Sequence, residues 1–153
     1  MMVLKELKEI FEEMLTKGEW ENNVLLNMEL SQYSKYHIPI EIIIRGKDNK
    51  GNNLYIMGNK NEFGFPNFFP EETIKMYDHI PTLLELYYDI FINKNSSLKL
   101  ETLLFLSIDY NKYFNLGNAT SIESIKKVFS FDDTILICNL CSSYYQHFIF
   151  RYI

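Results

Sequence analysis

The chain has almost no cysteine. Its two, Cys138 and Cys141, stand three apart, too close within a helix to bridge comfortably, which argues against a disulfide scaffold and for a reducing compartment. It has no run of lysine and arginine, and 15 basic against 20 acidic residues leave a net charge of −5. Nucleic-acid binding draws on neutralised phosphates, so a dedicated DNA or RNA binder is disfavoured while a basic protein partner is permitted. No segment reaches the roughly 20 apolar residues that span a bilayer. The most apolar stretch, 134–153, is interrupted by Asn139, Ser142, Ser143, Gln146 and His147. The opening MMVLKELKEIFEEML is charged throughout, unlike the apolar core of a signal peptide. These absences predict a soluble, cytoplasmic chain with no membrane role. P-loop, dinucleotide fingerprint, nucleophile elbow, H-E-x-x-H and EF-hand loop are all missing. The glycines at 46 and 51 lack the spacing of a phosphate cradle.

Apolar and aromatic residues, by contrast, are plentiful. The hydrophobic fraction is 47%, with 12 Phe and 11 Tyr in 153 residues, enough for one domain with a sizeable core and incompatible with disorder. Residues 2–17 read as an amphipathic helix. Val3, Leu4, Leu7, Ile10, Phe11, Met14 and Leu15 form its apolar stripe, and Gly18 sits at the cap position. Alternation then predicts strands over 24–30, 38–45 and 54–57. Pro39 marks a strand start or an edge, and Asp48-Asn49-Lys50-Gly51-Asn52 a turn. Lys47, Lys50 and Lys60 make that end basic. The joint of the chain is 63–81, FGFPNFFPEETIKMYDHIP, whose phenylalanines read as a plug between sheet and helices. Pro70, Glu71 and Glu72 suit a helix start. Pro81 breaks that helix, and the Thr82/Glu85 capping box restarts it with Leu83, Leu84, Leu86, Tyr87, Ile90 and Phe91 inward. Residues 98–114 fit helix and strand almost equally, and length and leucine content favour helix. A capping box at Thr120 and Glu123 predicts a helix to about Phe129, and Ser130 and Asp133 open a last one, whose end over 144–153 also suits an edge strand. The expected fold is α+β: an N-terminal helix, a three-stranded antiparallel meander, then several helices packed on the sheet, in a single domain over 1–153.

Candidate chemistry is thin. Cys138-Asn139-Leu140-Cys141 has the spacing of half a zinc site or a redox pair, but it lies within an apolar segment with only His147 near, so burial in the core is the preferred reading. Asp78-His79 could pair a base with an orienting carboxylate, yet neighbours on a helix do not face each other. A polar helix terminus explains both. Glu12-Glu13, Glu71-Glu72 and Asp132-Asp133 are sequence neighbours, which is not glycosidase geometry, and the latter two pairs fit helix starts. No catalytic residue, metal or cofactor is expected.

Charge distribution says more. Five carboxylates, Glu71, Glu72, Asp78, Glu85 and Asp89, face one lysine, Lys75, between 71 and 92, with Tyr77, Tyr87 and Tyr88 interleaved. Carboxylates beside tyrosines suit a basic protein partner, through steering and aromatic anchors. Glu71, Glu72, Tyr77, Asp78, Glu85, Tyr88 and Asp89 are the candidate partner-binding residues. Reversing charge at Glu85 and Asp89 is expected to slow association without harming folding.

A small, acidic, single-domain, aromatic-rich chain free of catalytic motifs, with A/T-codon residues suggesting a bacterial or phage-like source, resembles the bacterial immunity proteins of contact-dependent growth inhibition and related toxin systems. The resemblance lies in whole-chain character and implies a non-enzymatic toxin inhibitor that binds a cognate toxin domain, often a basic nuclease. Three alternatives stand beside it: an enzyme assembled from dispersed residues such as His79, His147, Asp109 and Tyr110; a self-associating structural or regulatory phage-type protein; and a helix-turn-helix regulator using 71–92, against which the acidic balance argues.

Overall fold

A computed structural model describes residues 2–31, 34–59, 68–93, 99–109 and 120–139. The order of elements is α1 (Leu4–Thr16), β1 (Asn23–Ser31), β2 (Ser34–Ile38), β3 (Ile42–Asp48), β4 (Asn53–Gly58), β5 (Phe68–Met76), α2 (Leu83–Tyr87) running on into a π-helical turn (Tyr88–Ile92), β6 (Leu103–Asp109), β7 (Thr120–Ser124), β8 (Lys127–Phe131) and β9 (Thr134–Cys138). The strands form two mixed sheets, β2-β1-β9-β8 and β5-β3-β4-β6-β7. The protein is therefore mostly β, and the expected α+β fold of several helices on one three-stranded meander is wrong.

The core explains the error. Between the sheets lies one cluster that takes Leu4, Leu7, Phe11 and Met14 from α1, Val24, Leu26, Ile135 and Ile137 from the first sheet, and Ile43, Met57, Leu104 and Leu106 from the second. Leu83, Leu86, Ile90 and Phe91 of α2 and its π turn complete it. The opposite face of the five-stranded sheet carries Ile42, Ile44, Leu54, Ile56 and Phe68, with Leu103 and Phe105 against them. The opposite face of the other holds Leu136 and Cys138 with Leu25, Phe129 and Phe131. Strands apolar on both faces read as unbroken apolar runs. LLFLSID and TILIC thus imitate buried helix, and the helices expected over 98–114, from Thr120 and from Ser130 are β6, β7, β8 and β9 within the described residues. Asp132 and Asp133 lie at the β8–β9 turn, where Asp132 has φ 55°, not at a helix start.

The meander is split. β1 pairs antiparallel with β2 and parallel with β9, whereas β3 and β4 belong to the other sheet. The change of sheet falls at Pro39–Glu41, where proline cannot donate to a ladder. The Asp48 turn is as expected: the Asp48 carboxylate accepts from Lys50 N and Asn52 N, both at 2.9 Å.

α1 obeys its periodicity. Its first amides donate outward, Leu4 N to Thr102 O and Lys5 N to Leu100 O, both at 2.9 Å, so tertiary contacts replace the missing side-chain cap. Its end is a Schellman closure, with Gly18 N donating to Leu15 O and Glu19 N to Met14 O, and Gly18 at φ 83° takes the left-handed position.

The segment opening at Pro70 is not a helix. Residues Phe68–Met76 form strand β5, at the edge of its sheet and paired antiparallel with β3 only among the described residues. The register skips Glu71 and Ile74. The skip at Glu71 turns the strand over, so Phe68 faces the outer cluster and Ile74 the inner one. Pro70, the skips and the charges keep this edge from pairing with other chains. Of the proposed phenylalanine plug, Phe68 is buried and Phe69 is 61% exposed; Phe63 and Phe65 lie outside the described residues.

Candidate functional site

Of the seven candidate residues, Tyr77, Asp78, Glu85 and Asp89 come together where β5 ends and α2 begins. Leu83 N donates to Asn22 O at 2.9 Å and Leu84 N to Trp20 O at 3.1 Å. These bonds satisfy the first helical amides and pin α2 beside the entry to β1. Thr82 and Glu85 form the expected capping box: Glu85 N donates to the Thr82 hydroxyl at 3.2 Å, and Thr82 N to the Glu85 carboxylate at 3.4 Å. Leu83 and Leu86 of α2 face inward.

Tyr77 is buried, and its hydroxyl donates to Asp89 Oδ2 at 2.7 Å. Burial pushes its phenol well above the ordinary tyrosine range, and the Asp89 carboxylate adds to the effect. His79 is clasped between two carboxylates, Nδ1 at 2.9 Å from Asp78 Oδ1 and Nε2 at 2.7 Å from Glu85 Oε2. Two acceptors on two ring nitrogens call for the imidazolium, which donates to both. The hydrogen bond to Asp78, then that to Glu85, raises the pKa of His79. The same bonds lower Asp78 and Glu85, each chiefly through His79. The Tyr77 and His79 rings meet edge to face at 6.0 Å. The reading of Asp78 and His79 as a polar helix terminus is thus corrected: they lie on a bend between β5 and α2, where adjacent side chains can face each other.

A shallow cleft of about 280 Å³ lies against this cluster, walled by Pro39, Glu41, Tyr77 and His79. Glu41 accepts from the buried Asn59 side chain at 3.2 Å.

The remaining candidates stand apart. Glu71 and Glu72 precede Tyr77 by five to six strand residues, roughly 16–20 Å at the usual rise. Glu72 lies opposite Arg45 in the ladder and pairs with it at 3.2 Å, so its charge is engaged within the sheet. Glu71 is exposed at a register skip. Tyr88 is exposed, in a row with Leu84 and Ile92 that sequence reasoning missed. The clue was there in the four-residue spacing, hidden because all the leucines of 83–92 were counted as core.

Among the described residues, no group of three or more His, Cys, Asp or Glu side chains is placed to hold a metal ion. No described helix is long and apolar enough to cross a membrane. Cys138 is buried, with Asn27 Nδ2 at 3.9 Å from its sulfur, while Cys141 lies outside the described residues, as do His147 and Tyr110 of the dispersed enzyme site. Strand geometry over Phe68–Met76 removes the helix-turn-helix alternative. Neither the family models, nor curated proteins, nor solved structures match this chain.

Proposed function

We propose that this chain is a non-enzymatic binding protein of the immunity type, neutralising a basic toxin domain that docks at the β5–α2 corner. The observation that supports this is the fixing of three carboxylates before any partner arrives. Asp89 is held by Tyr77, Glu85 by Thr82 and His79, and Asp78 by His79. Pre-positioned acids lose little side-chain entropy on binding and steer a basic partner into register. Net charge of −5 acts in the same direction.

The test is co-expression with the toxin domain encoded beside this reading frame in its genome. Rescue of growth, together with co-purification of the two chains, is the expected result. A neighbouring toxin that still kills and does not bind ends the reading.

A further inference from the structure

The rows along α2 and its π turn sort cleanly by chemistry. Leu83, Leu86, Ile90 and Phe91 are buried, whereas Leu84, Tyr88 and Ile92 are 49%, 50% and 45% exposed. Spaced four apart, these three line up along one side of the helix. Glu85 and Asp89 form the next row, fixed toward β5 by His79 and Tyr77. On the other flank lies the Glu12 carboxylate of α1, which adds to burial in raising the pKa of the Tyr87 hydroxyl. An apolar ridge about two turns long therefore runs between carboxylates on both sides. Trp20, 46% exposed, is joined to its start through the Leu84 amide.

We infer that the Leu84–Tyr88–Ile92 ridge seats one amphipathic helix of a basic partner protein, with lysines or arginines on both flanks of that helix. The inference rests on the protein-binding role proposed above and names the element that docks. The ridge has helical spacing and its three side chains are about half exposed, which suits ridge-into-groove packing against a second helix. Charge decides the occupant. A second copy would bring Glu12, Glu85 and Asp89 against their own kind, and these few half-exposed side chains fall well short of the roughly 800 Å² per partner of a stable dimer. A cationic helix gains ion pairs along both flanks in addition to the apolar contact.

The probe is a lactam-stapled peptide of about 18 residues, with leucines every four positions flanked by lysines. It is compared with a scrambled peptide of equal charge and with a lysine-to-glutamate version. Amide chemical shifts should move at 84–92 and at Trp20 with the first peptide alone. Leu84→Asp and Tyr88→Ala, both at exposed positions, should each weaken it about tenfold or more, while thermal melts confirm that the variants fold. Equal binding of the scrambled peptide, shifts confined to other surfaces, or dimers broken by Leu84→Asp in sedimentation would overturn the inference. Ridge binding without toxin rescue would sink the immunity role and leave the helix seat standing. Toxin rescue unaffected by both variants would do the reverse.

Discussion

Tyr77 does two jobs at one position. Its ring belongs to the core between the sheets, and its hydroxyl supplies a donor to Asp89 at 2.7 Å. Tyr77→Phe keeps the ring and leaves the half-buried carboxylate without that donor. Urea unfolding should show a loss of about 1–2 kcal/mol, and an unchanged midpoint would mean that the bond contributes nothing. His79 has a pH signature. The folded state holds its proton more tightly than the unfolded chain does, so its contribution is full below the ordinary histidine value of 6.5 and fades as pH climbs through the higher folded value. The lowered Asp78 and Glu85 contribute above their ordinary values, up to 4.5 for Glu85, and stop as pH falls through the folded ones. The difference in melting temperature between wild type and His79→Gln should therefore be largest between about pH 5 and 6.5 and shrink on both sides. A pH-independent difference would exclude the clasp as its source. The same bonds revise one expectation: Glu85 and Asp89 carry structural partners, so reversing them disturbs the fold as well as any association. Asp78 is held by His79 alone and its side chain is fully exposed, so reversing it disturbs the fold least.

Among the elements, β5 depends most on a single glycine. Gly46 lies opposite Pro70, and a Cβ there would stand 2.3 Å from Phe69 O and 2.6 Å from the Phe68 ring. Gly46→Ala must push the edge strand away and should cost about 1–3 kcal/mol in denaturant unfolding. Retention of full stability would mean that the strand slides freely. The legibility of each element follows from its burial. α1 is buried on one side only, so its stripe and its glycine cap were readable. The Thr82/Glu85 box also marked the true start of α2. β6 and β9 are apolar toward both of their neighbours, so their runs carry no period. β5 carries a skip that reverses its faces, and Pro70, which permits either a helix start or a strand edge, was assigned to the wrong one. In the candidate site, the charges at 78, 85 and 89 were visible in the sequence. The clasp on His79 was not, because it requires a bend where a helix was expected.

For the molecule as a whole, the net charge of −5 would draw the proposed basic partner in by long-range attraction. Asp78→Lys should slow the association rate severalfold at low ionic strength, and the difference should narrow at about 0.5 M salt. Equal rates at low salt would remove this corner from the encounter surface. The sheet orders have one more implication. β9, the last described strand, lies in the middle of its sheet between β1 and β8, pairing in parallel with a strand more than a hundred residues upstream. While the chain is still emerging from the ribosome, the inner edge of β1 has no neighbour, and Val24 and Leu26 face an unfinished core. Closure must wait for 134–138, a long-range step of the kind that folds slowly. Any activity that needs both sheets would therefore begin only after 134–138 has been made and has paired with β1.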